Sequence, residues 1–545
     1  MTKPSRGNPT DPIIVIRGLR IEAGGDGAWE EIVHGIDLEL HPGEVLGLIG
    51  ESGAGKSTIG LAAMGYARSG VRICGGEIVF DGRDLLKVGE TERRRLRGRR
   101  AAYVAQSAAA AFNPAHRLID QCVEVPLLKG QHDRRSAQAL IQDLFARLQL
   151  PEPKTIGQRY PHQLSGGQLQ RAMTAMAMGP HPEVIIFDEP TTALDVTTQV
   201  EVLAAIRAAV RDLSLSAIYI SHDLAVVAQI ADRIMVLRHG SLVESGPTTE
   251  ILSAPKQEYT KRLVALRQFQ KQHVAVHSET ILTIRNIELA FGDKPALADV
   301  SLDAGVGETV AIVGESGSGK STLARVIAGL LQPERGTVSL SGERLPPDYR
   351  NRTRDQLRRI QLVHQSPDTA LNPQQSVRKI LGRAANFYFG LRGNALADRI
   401  RELLKMVELD PDRLLDRKPE ELSGGQKQRL CIARAIAADP VLLICDEVTS
   451  ALDPLVAEEI LKLLDRLQRE RRLTYLFITH DIATVRAIAD RVAVFQAGRV
   501  VEQGSKEQVL LSPTQAYTET LLSSTPEMDT HWLDGLLARR GSAKT

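Results

Sequence analysis

Two stretches of the sequence combine glycine, lysine and hydroxyl residues at the spacing that holds a polyphosphate. GESGAGKST occupies residues 50–58, and GESGSGKST occupies residues 314–322. The glycines let backbone N–H groups turn inward around phosphate oxygens, the lysine reaches the outer phosphates, and the next serine ligates Mg²⁺. One such loop could arise by chance, but two, each preceded by an apolar run, indicate nucleotide binding. The predicted contacts are Gly50, Ser52, Gly53, Gly55, Lys56, Ser57, Thr58, Gly314, Ser316, Gly317, Gly319, Lys320, Ser321 and Thr322.

Two acidic pairs stand at the ends of later apolar runs. Asp188 and Glu189 end VIIFDE, and Asp446 and Glu447 end LLICDE. An aspartate at this point suits Mg²⁺, which binds few carboxylates and keeps several waters. The neighbouring glutamate can polarise a water molecule for attack on a phosphate. Together with the loops, these pairs predict hydrolysis of a nucleoside triphosphate.

A third pattern, LSGGQ, occurs at residues 164–168 and again at 422–426. Ser-Gly-Gly at the start of a helix offers a hydroxyl and free N–H groups to an anion. A plain helix cap is the simpler interpretation of such a stretch when it stands alone. Beside a phosphate loop and an acidic pair, it predicts phosphate contacts by Ser165, Gly167, Ser423 and Gly425.

These recurrences indicate that one domain occurs twice in the chain. LSGGQ, the acidic pair and the YISHD/FITHD pattern return after 258 residues, and the loop lysine returns after 264. A shared order with nearly constant offset indicates duplication of a whole domain. We place the copies at residues 13–265 and 281–522, joined by a linker at 266–280. The tails at residues 1–12 and 523–545 are expected to be loosely ordered.

Each copy must fold so that its chemical groups meet. EVLGLIG and ETVAIVG are continuous apolar runs that end in the glycine-rich turn, which is typical of strands buried on both faces of a parallel sheet. The stretches 107–178 and 366–436 instead show helical periodicity and little strand signal. The sequence therefore predicts an α/β fold in which each copy has a parallel-sheet core and a helical insert.

The bulk properties of the chain exclude several classes of protein. Its 545 residues are 43% hydrophobic and carry a net charge of +2, so no global field attracts nucleic acid. The basic run TERRRLRGRR at 91–100 lacks interleaved aromatics and has a counterpart in the second copy, which predicts an exposed flank and no nucleic-acid partner. No signal peptide is evident, and no run approaches the roughly 20 apolar residues of a membrane span. The four scattered cysteines are expected to be small buried residues.

The complete set of patterns resembles the ATP-binding cassette (ABC) family over nearly the whole chain, twice. The resemblance implies two P-loop NTPase nucleotide-binding domains, each with a RecA-like core, an antiparallel β-subdomain and a helical subdomain. In that family two cassettes pack head to tail, so that each ATP lies between the P-loop of one and the LSGGQ signature of the other. It implies a first site of Lys56, Ser57, Gln106, Asp188, Glu189 and His222 with Ser423 and Gly425, and a second of Lys320, Ser321, Gln365, Asp446, Glu447 and His480 with Ser165 and Gly167.

The resemblance also implies individual roles for these residues. Glu189 and Glu447 would be the catalytic carboxylates, with His222 and His480 as switch histidines. The implied Mg²⁺ contacts are Ser57, Gln106, Asp188, Ser321, Gln365 and Asp446. The family stacks adenine on an aromatic residue, for which Phe291 fits the second copy and Trp29 is the candidate in the first. Because both sites keep every chemical group, we predict two hydrolytically competent sites.

The Q-loops QSAAAAFNP and QSPDTALNP and the later SPTQAYTETLL resemble the dipeptide, oligopeptide and nickel importer ATPases. This resemblance implies ATP and Mg²⁺ as ligands, two integral-membrane permease subunits and an extracytoplasmic solute-binding protein as partners, and a peripheral location on the cytoplasmic face of the inner (plasma) membrane. Some members carry a cysteine cluster for an iron–sulfur centre; this sequence lacks it, so no such centre is expected. A soluble tandem ABC protein, acting on the ribosome or in a cytosolic enzyme complex, is the alternative, and the short linker argues against the ribosomal form.

Overall fold

The structure, a computed structural model, describes residues 11–25, 28–128, 130, 132–192, 194–265, 271, 279–450 and 452–542. The chain divides into two compact units. The first unit comprises Met1–Val264 together with Pro526–Thr545, and the second comprises Ala265–Thr525. Most of the predicted N-terminal tail and linker lies outside the described residues.

The first unit contains two sheets. Its strands are β1 (Ile14–Gly25), β2 (Ala28–Leu40), β3 (Val45–Gly50), β4 (Val71–Phe80), β5 (Arg83–Asp84), β6 (Ala101–Val104), β7 (Val184–Asp188), β8 (Ser216–Ser221), β9 (Arg233–Arg238) and β10 (Ser241–Pro247). Four of them form an antiparallel sheet in the order β2-β1-β4-β5, and six form a central sheet in the order β10-β9-β3-β8-β7-β6. The central sheet is parallel except for β10, which pairs antiparallel with β9.

The helices of the first unit surround these sheets. They are α1 (Lys56–Ala62), α2 (Glu90–Leu96), α3 (Ala108–Ala111), α4 (Leu118–Cys122), α5 (Glu124–Leu128), α6 (Arg134–Arg147), α7 (Gly166–Met178), α8 (Val196–Asp212), α9 (Leu224–Ala228), α10 (Thr248–Ser253) and α11 (Glu258–Ala265). Helices α3 to α7 fall between β6 and β7, which confirms the predicted helical insert.

The second unit repeats this order. Its strands are β11 (Thr280–Phe291), β12 (Lys294–Gly305), β13 (Thr309–Gly314), β14 (Arg335–Leu340), β15 (Glu343–Arg344), β16 (Ile360–Val363), β17 (Leu442–Asp446), β18 (Thr474–Ile478), β19 (Arg491–Gln496) and β20 (Arg499–Ser505). They form sheets in the orders β12-β11-β14-β15 and β16-β17-β18-β13-β19-β20. The α/β class and the subdomains implied by the resemblance are therefore confirmed in both copies.

Most helices of the second unit have counterparts in the first. They are α12 (Lys320–Ile327), α13 (Arg354–Arg359), α14 (Pro367–Ala370), α15 (Val377–Phe389), α16 (Gly393–Met406), α17 (Pro411–Leu414), α18 (Gly424–Ile436), α19 (Pro454–Arg471), α20 (Ile482–Ile488), α21 (Lys506–Leu511) and α22 (Ala516–Ser523). The last helix of the chain, α23 (Trp532–Ser542), belongs to the first unit.

The position of β3 explains its sequence. It lies between β8 and β9, pairs in parallel with both, and has every residue buried. A strand covered on both faces needs an apolar side chain at each position, which is why VLGLIG shows no alternation. One apolar core connects the two sheets, since Ile14 of β1, Leu48 of β3 and Ile59 of α1 belong to the same cluster.

Two expectations from the sequence were wrong. The C-terminal tail was expected to be loosely ordered, but it forms α23 and buries Trp532, Leu533 and Leu536. Their apolar side chains supply the burial that an isolated polar tail lacks. Cys74 is exposed on β4, whereas the other three cysteines are buried as expected.

Within the described residues, no helix has both the length and the apolar character to cross a membrane.

Candidate functional site

The carboxyl ends of the parallel strands carry the chemical groups of each unit. In the first unit the phosphate loop follows β3, Gln106 follows β6, Asp188 ends β7 and His222 follows β8. Parallel strands present their carboxyl ends at one edge of the sheet, which is where open α/β sheets bind ligands. The fold therefore gathers side chains that are more than 160 residues apart in sequence.

The phosphate loop of the first unit lies where β3 ends and α1 begins. Gly55, just before α1, has a φ of 83°, a left-handed conformation that glycine adopts without a steric penalty. Lys56 Nζ donates hydrogen bonds to the carbonyls of Gly50 at 2.7 Å and Glu51 at 2.8 Å. Because Lys56 is 5% exposed, its charge is held inside the loop, at the start of the helix. This arrangement suits the outer phosphates of a nucleotide.

Two oxygen atoms suited to Mg²⁺ meet beside this loop. Ser57 Oγ donates a hydrogen bond of 2.7 Å to Oδ1 of Asp188. The hydroxyl of Tyr103, on the neighbouring strand, donates to Oδ2 of the same carboxylate. Hydroxyl and carboxylate oxygens are the ligands that Mg²⁺ prefers, so Ser57 and Asp188 fit the predicted metal contacts. A bound Mg²⁺ would neutralise phosphate charge here, and Tyr103 would orient the carboxylate from behind.

The glutamate that follows Asp188 is the centre of a second network. Gln106 Nε2 donates to Glu189 Oε2 at 3.2 Å, and His222 Nδ1 lies 3.4 Å from Glu189 Oε1. Burial acts to raise the pKa of Glu189, but the hydrogen bond and charge of His222, with the charge of Lys56, lower it. Burial acts to lower the pKa of His222, and its contact with Glu189 raises it instead. An ionised carboxylate is the form that can act as a base toward water.

The backbone at the two predicted catalytic glutamates is held in an uncommon conformation. Glu189 has a φ of 48° and Glu447 a φ of 51°. This left-handed conformation is uncommon outside glycine, and such residues cluster at functional sites. The amide of Glu189 donates to the carbonyl of Ile220 at 2.9 Å, and that of Glu447 to Ile478 at 3.0 Å. Both copies thus fix the direction of the glutamate through the adjacent strand.

The phosphate loop of the second unit has the same geometry. Lys320 Nζ donates to the carbonyls of Gly314 at 2.8 Å and Glu315 at 2.6 Å. Ser321 Oγ donates to Asp446 Oδ1 at 2.9 Å. Burial raises the pKa of Asp446 against the effect of the Ser321 hydrogen bond. The serine and carboxylate again offer a pair of oxygens suited to Mg²⁺.

The glutamate network also recurs in the second unit. Gln365 Nε2 donates to Glu447 Oε2 at 2.7 Å, and His480 Nδ1 lies 3.3 Å from Glu447 Oε1. The hydrogen bond from His480 lowers the pKa of Glu447, although burial opposes the shift. The same contact raises the pKa of His480. Each unit therefore brings its predicted lysine, serine, glutamine, acidic pair and histidine into one site.

Tyr103 is a residue of the site that the sequence analysis missed. Its strand pairs in parallel with the strand that ends in Asp188, and Tyr103 is opposite Ile186 in the register. The equivalent residue in the second unit is Leu362, opposite Ile444, and an aliphatic side chain has no donor for a carboxylate. A tyrosine three residues before the Q-loop glutamine, on the strand beside the acidic pair, was the available signal.

The serines of the two LSGGQ signatures lie at helix N-termini. Ser165 is the N-cap of α7, where its hydroxyl accepts from the amide of Gln168 and its own amide donates to the Gln168 side chain. Ser423 and Gln426 form the same capping box at α18. In each case the hydroxyl hydrogen stays available for an acceptor, at the positive end of a helix.

The second glycine of each signature is required by packing. A Cβ on Gly167 would lie 2.2 Å from Cγ2 of Thr198, and a Cβ on Gly425 would lie 2.7 Å from Cγ1 of Val456. Thr198 and Val456 belong to α8 and α19, which follow the acidic pairs. A side chain at this position would therefore force the facing residue of the next helix to move.

The two candidate adenine-stacking residues have different surroundings. Phe291 ends β11 and is 57% exposed. The matching strand end in the first unit is Gly25, and Trp29 lies across the hairpin, opposite Gly24. The guanidinium of Arg72 lies 4.2 Å from the centroid of the Trp29 ring. One face of the tryptophan is thus covered by a cation, and stacking by Trp29 stays a prediction.

Comparison with known proteins identifies the family to which this sequence is similar. Residues 33–192 and 297–450 match the model described as ABC transporter, and residues 501–544 match the oligopeptide/dipeptide transporter C-terminal region. The glutathione import ATP-binding protein GsiA of Salmonella choleraesuis is 36% identical over 561 residues, covering 95% of this chain and 90% of the relative. The protein of the same name from Pectobacterium atrosepticum is 35% identical and covers 96% of this chain and 90% of the relative. The one from Escherichia coli is also 35% identical and covers 94% of this chain and 89% of the relative.

These matches cover the same two repeats in which the structure brings the predicted site residues together. They also run through the linker and the C-terminal region, so the likeness is not restricted to one repeat. The chain belongs to the ABC transporter family and is an ATPase with two cassettes in one polypeptide.

Proposed function

We propose that this chain energises a multi-subunit importer for peptides or related small solutes. The observation that carries the proposal is the complete and duplicated catalytic set, with each glutamate held in the same backbone conformation. The match to the oligopeptide/dipeptide transporter C-terminal region and the GsiA relatives, named for glutathione import, support a peptide-like solute. The chain supplies the energy of ATP hydrolysis for transport, and other subunits select the solute.

The partners of this function are two integral-membrane permease subunits and an extracytoplasmic solute-binding protein. The chain would act at the cytoplasmic face of the inner membrane as a peripheral subunit. ATP binding favours one arrangement of the cassettes and hydrolysis the other, and the permease receives the difference. The internal ion pairs of Arg100 with Asp81 and Glu183 support an architectural role for the basic run before the first Q-loop, with no nucleic-acid partner.

Within each site we assign the chemistry to residues of this chain. The P-loop lysine and backbone amides bind the phosphates, and the serine and aspartate would hold Mg²⁺, which would neutralise phosphate charge. The glutamate orients the attacking water and accepts its proton. The histidine holds the glutamate in position. The glutamine donates to the same carboxylate and connects the site to the helical insert. The strained glutamate backbone keeps this carboxylate directed before substrate arrives.

We further propose that each ATP is shared by two cassettes. Lys56 of the first would face Ser423 of the second, and Lys320 would face Ser165. The capped signature helices support this role, because each serine keeps a hydrogen to donate to a phosphate. A tether as short as residues 266–280 gives the cassettes an effective concentration on the order of millimolar, which favours closure.

Reconstitution tests the importer proposal. The chain is purified with its two permease subunits and placed in proteoliposomes with the cognate binding protein. Uptake of labelled glutathione or small peptides should require ATP, and it should stop in the double variant Glu189→Gln/Glu447→Gln. Binding of the chain to ribosomes, with no binding to the permease pair, would favour the soluble alternative instead.

Cysteine cross-linking tests the shared sites. Cys74 is exposed and is first replaced by serine. Cysteines at Ser52 and Ser423 are then introduced into the Glu189→Gln/Glu447→Gln background, which retains ATP. A short bifunctional reagent should link them with ATP present and not with ADP. Equal linkage in both states, or none in either, would contradict the shared-site proposal while leaving the importer proposal intact.

A further inference from the structure

The C-terminal segment, defined here as residues 526–542, packs against the first unit although it follows the second in sequence. It contains α23, and the side chains of Trp532, Leu533 and Leu536 are buried. Burial of three large apolar side chains favours the docked position of the segment. The chain therefore passes between the two units twice, once near residue 264 and again near residue 525.

A buried glutamine forms the centre of this contact. Gln229 is 2% exposed and is the C-cap of α9. Its Nε2 donates to the carbonyls of Glu527 at 3.0 Å and Asp529 at 2.9 Å, and its Oε1 accepts from the amide of Leu533 at 3.1 Å. Three hydrogen bonds to backbone groups make this amide a specific receptor for the segment, because a buried amide without partners would be costly.

A buried arginine supplies the second contact. Arg207 of α8 is 6% exposed, and its guanidinium pairs with the carboxylate of Asp534. It also donates from Nη1 to the carbonyl of Gln229 at 3.3 Å. Loss of the carboxylate would leave a buried charge without its counterion, which is strongly unfavourable.

At the equivalent surface, the second unit binds a different segment of the chain. Ala487 and Asp490 occupy the positions equivalent to Gln229 and Asp232, 258 residues further on. Here Lys271 binds: its amide donates to the carbonyl of Ala487 at 2.8 Å, and its Nζ pairs with Asp490 at 2.6 Å. In each cassette the switch-histidine helix is the helix that follows the switch histidine, α9 after His222 and α20 after His480. Each of these helices contacts a segment that follows the other cassette in sequence.

We propose that the surface around Gln229 and Arg207 is a docking site whose partner is the C-terminal segment of this same chain, and that docking holds the switch-histidine helix of the first cassette in place. Helix α9 begins two residues after His222, and Gln229 is its C-cap. Undocking would remove the three hydrogen bonds between the Gln229 side chain and the segment and the ion pair of Arg207 with Asp534, and would leave only the bonds of these side chains to the carbonyls of Ala225 and Gln229. The receptor residues have no counterpart in the second cassette, where Ala487 and Asp465 stand instead, so the site is specific to the first.

Hydrogen exchange of the full chain tests this docking. We compare the parent with Asp534→Ala, with a chain that ends at Thr525, and with the control Arg539→Ala, whose side chain is exposed on the same helix. Exchange at residues 224–230 should become at least about tenfold faster in the first two variants. It should not change in the control, nor should equivalent residues 482–488 of the second cassette change in any variant. Unchanged exchange at 224–230 in both test variants would overturn the proposal.

A peptide experiment separates docking from a general loss of folding. A synthetic peptide of residues 526–542 carries Trp532, whose emission should shift to shorter wavelength as the ring is buried. Added to the chain that ends at Thr525, the peptide should bind saturably and restore slow exchange at residues 224–230. The Gln229→Ala substitution should weaken this binding at least about tenfold. Equal binding to both receptors would show that the glutamine does not form the docking site.

Discussion

The hydrogen bond from Tyr103 to Asp188 predicts that the two ATP sites engage Mg²⁺ differently. In the first site the carboxylate has two donors, since Ser57 Oγ reaches Oδ1 at 2.7 Å and Tyr103 reaches Oδ2. In the second site Ser321 donates to Asp446, and Leu362 stands where the tyrosine would be. Burial and the neighbouring Asp188 raise the pKa of Tyr103, so the phenol stays protonated and can donate throughout the physiological range.

The substitution Tyr103→Phe removes this donor and preserves the ring. A hydrogen bond to a charged group contributes about 1.5–3 kcal/mol. Tyr103 is only half-buried, and Ser57 still holds the other oxygen, so the lower end of the range applies. A loss of about 1.5 kcal/mol corresponds to roughly tenfold weaker Mg²⁺ engagement, which agrees with the effect of removing a hydrogen bond behind a metal ligand.

The assay isolates each site by disabling the other. ATP hydrolysis is measured against Mg²⁺ concentration in the Glu447→Gln background, where the first site turns over, and in the Glu189→Gln background, where the second does. Tyr103→Phe should raise the half-saturating Mg²⁺ concentration about tenfold in the first background and leave it unchanged in the second. Mn²⁺ binding followed by electron paramagnetic resonance provides a readout independent of turnover. Equal shifts in both backgrounds, or no shift in the first, would refute the argument.

Three further outcomes follow from the same geometry. Glu189→Gln and Glu447→Gln should each lower steady-state ATP hydrolysis; complete loss in the first with none in the second would disprove two competent sites. Gly167→Ala should impair folding and activity by placing a Cβ 2.2 Å from Thr198 Cγ2, and Thr198→Ser should restore the melting temperature by removing that methyl group; no rescue would contradict the packing argument. Phe291→Ala should weaken ATP binding to the second site by about tenfold, measured by a fluorescent ATP analogue, and unchanged affinity would exclude adenine stacking there.

The sequence predicted most of the residues that the structure brings together at each candidate site, because phosphate binding depends on local spacing. A loop that wraps phosphates needs glycines and a lysine in consecutive positions, and this requirement is visible without tertiary structure. The strand assignments followed for a related reason: a strand buried on both faces, such as β3, must be apolar throughout. Contacts between residues far apart in sequence, such as Gln106 with Glu189, were inferred from the family resemblance and are seen directly in the structure.

The features that the sequence did not predict depend on tertiary packing. Tyr103 is one tyrosine among nine, and only the register of β6 against β7 brings its hydroxyl to a carboxylate. Residues 526–542 form a short segment in which a few apolar residues stand among polar ones, so we expected a loosely ordered tail. Their order comes from Gln229 and Arg207, which lie about 300 residues earlier in the chain. No local propensity encodes such a partnership.

The duplication keeps the reacting groups constant and varies the residues that support them. Both glutamates share a left-handed backbone, a glutamine donor and a histidine contact. Behind them, a tyrosine in the first site is replaced by leucine in the second, and the face beside the switch-histidine helix binds the C-terminal segment in one cassette and Lys271 in the other. Since a supporting hydrogen bond can change metal affinity tenfold or more, identical catalytic residues do not require identical rates. Substitutions at these supporting positions should therefore change the difference in turnover between the two sites. Exchanging the supporting residues between the cassettes should transfer the faster turnover from one site to the other.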